Sequence, residues 1–171
     1  DINDLAGNIE ITSDNAGVRL QNVGGAVRVD TRKSDIVRAT GVKGNVELKG
    51  AGQDIELQDI AGQVTVTGRY SGTVQFRSLA KPVRYEAERS QFAAEGIPGQ
   101  ARLSLSDLNA SNVVGPVRIN ARSKDVQISD FTQGLEVTLD RGDIEIRPGK
   151  AALVKMDVKT RSGDIDVALP D

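Results

Sequence analysis

Apolar residues recur along the chain in a fixed rhythm. The first complete copy is Val18, Leu20, Val23, Val27 and Val29, and the next is Val37, Ala39, Val42, Val46 and Leu48. Then come Ile55, Leu57, Ile60, Val64 and Val66, followed by Val74, Phe76, Leu79, Val83 and Tyr85. Phe92, Ala94, Ile97, Ala101 and Leu103 form the fifth copy. Leu108, Ala110, Val113, Val117 and Ile119 precede Val126, Ile128, Phe131, Leu135 and Val137. All seven keep the steps +2, +3, +4, +2, and each begins 16 to 19 residues after the last. Partial copies flank them: Leu5, Ile9 and Ile11 before, and Ile144, Ile146, Met156, Val158, Ile165 and Val167 after. An insertion at 147–153, "RPGKAAL", interrupts the second of these.

The +2 steps are strand alternation, one side chain in and the next out. The +3 and +4 steps flank one inward residue at a corner, usually followed closely by Gly, as in "NVGGAV" and "DIAGQV", where Gly permits a positive φ or a tight bend. One unit cannot bury its apolar side alone, whereas stacked units give every strand a parallel neighbour above and below. The pattern therefore predicts an all-β fold, a single-stranded parallel β-solenoid (β-helix) of about nine rungs with roughly 18 residues each, as one domain over residues 1–171. At about 4.8 Å per rung the rod is roughly 43 Å long.

Other repeat folds fit less well. Leucine-rich repeats want Leu at most apolar positions and an Asn in each unit. A left-handed hexapeptide helix needs an apolar residue every sixth position, and calcium-binding nonapeptides need Gly-Gly-x-Gly-x-Asp. An antiparallel sandwich also spaces strands evenly, but constant spacing through seven corners favours stacking.

Composition narrows the chemistry. There is no Cys and no His, which removes thiol catalysis, disulfides, histidine acid–base chemistry and zinc sites built on either residue. Charged residues make up 27% with a net charge of −2, so the totals point to neither disorder nor nucleic-acid binding. Aromatic residues are 3%, suiting a thin core of β-branched side chains. No apolar run approaches the roughly 18 residues of a membrane span. Asp1 in place of an initiator Met is what removal of a leader or flanking anchor would leave.

One short motif invites a functional reading. Arg141-Gly142-Asp143 is a tripeptide that adhesion ligands present on loops. Here it belongs to a series, "QDIEL" at 53–57, "SDLNA" at 106–110, "KDVQI" at 124–128, "GDIEI" at 142–146 and "GDIDV" at 163–167. In each copy an Asp opens a strand and can accept backbone N–H bonds at the bend. The tripeptide is a by-product of the repeat.

These "(S/G)-D-I-x-apolar" strands, the Gly before the other strand and the closing "TRSGDIDVALPD" at 160–171 resemble a bacterial family over essentially the whole chain. It is the adhesin-labelled β-strand-repeat domain family of unknown function, related to the toastrack domains of cell-envelope proteins. The resemblance implies a β-solenoid that is exported to the periplasm or cell surface and tied to the membrane only through a segment outside this chain. It implies roles in adhesion or envelope stress sensing, and transfers no individual site residue.

Stacking turns outward residues into ladders. One runs Glu10, Arg28, Glu47, Thr65, Arg84, Arg102, Arg118, Glu136, Asp157. Its first part alternates in sign, as close neighbours should. The run Arg84, Arg102, Arg118 does not, and is a candidate stripe for an anionic partner, with pairing to Glu86 or Glu88 as the structural alternative. A second ladder, Asp107, Asp125, Asp143 and Asp164, has the oxygen chemistry for calcium. Arg122, Arg141 and Arg161 stand close enough in sequence to neutralise it, and the reading is that no metal is held. Sugar-cleaving β-helices need a carboxylate pair in a walled groove, usually with exposed aromatics. Tyr85, Phe76, Phe92 and Phe131 fall on inward positions here, and Tyr70 alone stands outside the pattern.

The expectation is a non-catalytic, monomeric envelope solenoid without cofactor. It serves as an adhesin-like or spacer module for an unknown protein, glycan or anionic surface, not for nucleic acid. The alternative is a cytoskeleton-like polymer stacking end to end through open strand edges. Pro170, the inserted "RPGK" and acidic residues at both ends oppose it. A polysaccharide-active enzyme is the remotest reading.

Overall fold

The structure, a computed structural model, describes residues 1–149 and 154–169. It is all-β, a solenoid of about nine turns with about 18 residues per turn. Seven segments lead in: β1 (Ile2–Leu5), β2 (Ile9–Ser13), β3 (Val18–Val23), β4 (Val27–Val42), β5 (Val46–Ile60), β6 (Val64–Tyr70) and β7 (Val74–Leu79). Each turn contributes one strand to a front face and one to a back face. β4 and β5 run through the bend and serve both. On the front β1, β3, the second half of β4, the second half of β5 and β7 pair in parallel. On the back β2, the first halves of β4 and β5, β6 and β8 (Val83–Glu86) do the same. Val27, Val46 and Val64 stack in register, as the repeat requires.

The front-to-back edge is made by the residue just before each corner. Asn22, Asp59, Ser78, Asn112 and Asp130 all have φ between 50° and 55°, and Gly41 has φ 69°. Asn and Asp tolerate this left-handed conformation because their short polar side chains bond locally. Of the two readings for the glycines after the corner, a positive φ or a tight bend, the positive φ does not apply to them. Those instead answer to crowding: a Cβ on Gly44 would lie 2.5 Å from the Ala26 nitrogen of the turn below. The next inward residues, Val23, Val42, Ile60, Leu79, Val113 and Phe131, are buried and fill the corner.

One turn runs backwards. After β8 the chain does not cross to the front. It folds back on the same face as β9 (Ser90–Ala94), antiparallel to β8, then crosses to the front as β10 (Ile97–Leu103), antiparallel to β7. A second hairpin returns it as β11 (Asp107–Val113), antiparallel to β10, and β12 (Val117–Ser123) lies antiparallel to β9. The original direction then resumes through β13 (Asp125–Phe131), β14 (Leu135–Arg141), β15 (Ile144–Arg147), β16 (Met156–Thr160) and β17 (Ile165–Val167), all paired in parallel. The solenoid is as the repeat predicts, and the direction of this single turn is where it differs.

Just before the reversal the back-to-front edge is tightly packed. Gly50 (φ 114°) lies under Gly68 (φ 151°), so close that a Cβ on either would strike the carbonyl oxygen beneath it, Thr31 and Gly50 respectively. Because Thr67 pairs with Glu86, the residue due over Gly68 is Ala87. There the chain turns back instead, closed by the Ala87 N–H donating to the Ser90 carbonyl at 2.9 Å. Beyond the reversal Gly142 packs on Lys124 and Gly163 on Gly142, three residues further along the chain than the Gly50 and Gly68 position, which Leu139 holds there.

Reversed, the apolar steps would read 2-4-3-2 and misalign by one residue. The register shift between Ile97 and Gln100 absorbs the difference, so Ile97 still faces Leu79 and Ala101 faces Phe76. Phe76 and Phe92 stack across the junction, centroids 6.5 Å apart and planes 15° from parallel. Of the expected insertion 147–153, Arg147 ends β15, while residues 150–153 lie outside the described residues, as do Pro170 and Asp171.

Two outcomes follow from this packing. Phe76→Ala should cost about 3–5 kcal/mol in urea unfolding, since the fully buried ring cannot be replaced from either side of the junction. Asp59→Val should cost on the order of 1–2 kcal/mol by the same measurement, and Asp59→Gly much less, because φ 54° penalises the Cβ branch and not the backbone.

Candidate functional site

The reversed turn scatters the arginine stripe. On the back face the outward ladder reads Thr65, Arg84, Ala93, Arg118, Glu136. Ala93 therefore separates the two arginines, and each has a carboxylate partner: Arg84 with Glu86 at 3.6 Å and Arg118 with Glu136 at 2.9 Å. Arg102 is carried to the front face, between Gln75 and Asn109, in a separate cleft of about 510 Å³ beside Arg77. The three arginines expected to form one stripe do not come together. The like-charge repulsion that motivated the stripe is removed by geometry.

The aspartate ladder does form on the front face, with Asp107 beside Asp125. The backbone N–H that each Asp was expected to accept at the bend comes from the turn above. Asp125 Oδ1 accepts the Asp143 N–H at 3.0 Å, Asp143 Oδ1 accepts that of Asp164 at 2.9 Å, and Asp54 Oδ1 that of Thr73 at 2.7 Å. Among the described residues no group of acidic side chains is arranged to hold a metal. Arg161 sits 3.6 Å from Asp140, on the adjacent column. The Arg141-Gly142-Asp143 tripeptide is built into this edge, with Gly142 packed on the Lys124 carbonyl.

What the structure does assemble lies along the back-to-front edge. Both hairpins of the reversed turn, at 87–89 and 104–106, lie on this edge and leave its wall open. A groove of about 1040 Å³ results, reaching from Asn15 to Arg141 and walled by the hairpin tips. It crosses the levels of β2, β4, β5, β6, β8, β9, β12 and β14, so seven steps of about 4.8 Å make it roughly 34 Å long, parallel to the solenoid axis.

Seven basic side chains line it, Arg32, Lys33, Arg69, Arg89, Arg122, Lys124 and Arg141, against Asp35, Glu88 and Asp140. Arg32 reaches Asp14 at 3.4 Å. Lys33, Arg69, Arg89, Arg122 and Arg141 are exposed and have no carboxylate within ion-pair distance among the described residues. In a chain of net charge −2, this edge concentrates unneutralised positive charge.

Beneath the cations sits a polar interior. Lys124, only 8% exposed, donates from Nζ to the Ser104 carbonyl and to that of Leu105 at 3.2 Å, fastening the second hairpin. Burial pulls its pKa below the ordinary lysine value. Arg122 N–H donates to the Arg89 carbonyl at 3.1 Å and holds the first hairpin. Leu105 stands 71% exposed at the tip of the second hairpin. Tyr70, expected outside the inward pattern, is 7% exposed and turned into the core beside Tyr85. Its hydroxyl has no hydrogen-bond partner. The neighbouring Thr31 hydroxyl donates to the Ala51 carbonyl at 3.1 Å instead. Burial pushes both phenols above their ordinary pKa.

The reversal left a trace in the spacing. From Leu103 to Leu108 is five residues, where the other edge crossings take seven or eight, too few to pass round the edge. The groove itself had no linear signal, because its cations come from five separated segments.

Fold and groove define a β-solenoid with a basic cleft along one edge. No protein-family model, curated protein or solved structure matches the chain.

Tyr70 and Tyr85 govern behaviour in alkali. In the unfolded chain they ionise near pH 10, and in the fold only at higher pH. Their contribution to stability is complete below pH ~10 and is lost as pH rises through the raised folded values. Urea midpoints measured from neutral pH to about pH 11 should fall at the alkaline end. The Tyr70→Phe/Tyr85→Phe protein should show a smaller fall.

Proposed function

We propose that this chain is a non-catalytic interaction module of the bacterial cell envelope, adhesin-like in its mode of action, that holds an anionic partner in the edge groove. The observation that carries this is the set of five exposed cations without carboxylate partners in a single cleft. Elsewhere many of the ladder arginines are neutralised, as Arg28, Arg38, Arg84 and Arg118 are. Arginine forks fit carboxylate and phosphate oxygens, and an unpaired guanidinium in a cleft has its geometry free for them.

The rest of the fold supports presentation rather than chemistry. Stacked strands make a stiff scaffold, and the groove's Asp140 is already engaged by Arg161. The envelope setting follows from the family resemblance, with any membrane anchor in a segment outside this chain. No helix long and apolar enough to cross a membrane occurs among the described residues.

Binding to three anionic probes tests the assignment: polygalacturonate, polyglutamate and vesicles containing phosphatidylglycerol. The parent should bind at least one of them, more weakly as salt rises. Changing Arg69, Arg89 and Arg122 together to Gln should weaken that binding by about tenfold or more, the equivalent of one or two charged hydrogen bonds. Changing Arg84, Arg102 and Arg118 to Gln should leave it nearly unchanged. Equal loss in both variants, or no binding to any probe, would remove the groove from consideration.

A further inference from the structure

Shape and lining together narrow the ligand class, on the premise that the groove is the binding site. We infer that it takes a linear, carboxylate-bearing polysaccharide, lying along the solenoid axis across successive turns.

Direction is the first argument. The groove runs perpendicular to the strands for roughly 34 Å, so it suits an extended polymer rather than a compact anion. Its cations are set by the stack. Arg69 lies directly over Ala51, and Arg122 belongs to β12, three levels beyond β6. Arg141 follows on the next level, paired with Ser123. Charge therefore recurs along the groove at multiples of one strand spacing, which a chain with a regularly repeated carboxylate can meet several times over.

The second argument is what lies between the cations. Ser71, Gln53, Ser104 and Ser123 present hydroxyl and amide groups, and Gly52 and Gly72 bring bare backbone to the surface. Such a lining exchanges hydrogen bonds with sugar hydroxyls. An acidic peptide would need apolar pockets for anchor side chains, and Leu105 is the one large apolar side chain exposed here among the described residues. Single-stranded nucleic acid would need exposed rings to stack its bases, whereas Tyr70 and Tyr85 are buried. A membrane surface calls for a flat or convex basic face, and this one is concave.

Calorimetric titration of the whole chain with oligogalacturonates of increasing length tests the inference, beside polyglutamate, a thymidine oligonucleotide and a neutral galactan. Affinity for the uronates should climb with length and level off once the oligomer spans the groove. The neutral galactan should bind at least about tenfold more weakly. Arg69→Gln/Arg122→Gln/Arg141→Gln should reduce uronate affinity by about tenfold or more with an unchanged circular dichroism spectrum, and Arg84→Gln should not. Uronate affinity independent of length would overturn the axial placement. Tighter binding of polyglutamate or the oligonucleotide, lost in the triple variant, would overturn the polysaccharide class and leave the groove standing. No binding of any anion would overturn both.

Discussion

Everything in this molecule depends on how closely consecutive turns approach at their edges. Strands on the faces sit at the ordinary sheet spacing and accept almost any side chain that points the right way. At the edges the backbone bends while still lying on the turn beneath, and on some levels the two backbones come so close that a Cβ has nowhere to go. Gly68 over Gly50 and Gly163 over Gly142 meet that demand. The level after Gly68 brings Ala87, and there the chain reverses.

Electrostatics then follows from topology. On the faces, strand pairing sets some opposite charges side by side, as where Arg28 lies between Glu10 and Glu47, while Arg19 faces Arg38 and Glu136 faces Asp157. Where a reversed strand intervenes, it delivers Ala93 between two arginines and takes Arg102 elsewhere. The edge obeys no such pairing, since its hairpins and bends draw residues from distant segments into one cleft without matching them. Unbalanced charge therefore collects where the regular stack is broken.

How far the sequence discloses this depends on which period each feature obeys. Inward positions obey the 2-3-4-2 steps, so the core columns, the corners and the number of turns are all legible, down to Phe76 and Phe131. Direction is not, because the steps differ from their own reverse by one residue, and a local register shift near Ile97 conceals that difference. The five-residue interval from Leu103 to Leu108 was the available sign. Tyr70 escaped because it fills the core from the edge, beyond the last inward step of its strand. The arginine stripe failed for the same reason the topology was hidden. The groove cations could be found only once five segments were placed beside one another.

The reversed turn also answers a problem that every repetitive fold faces. Near-identical coils can slide past one another by a whole repeat and still bury their valines, so such chains have many almost equivalent misalignments. A coil that runs the opposite way, closed at both ends by tight hairpins, fits at one place only. It works as a keyed joint, which leaves the segments before and after it a single way to line up.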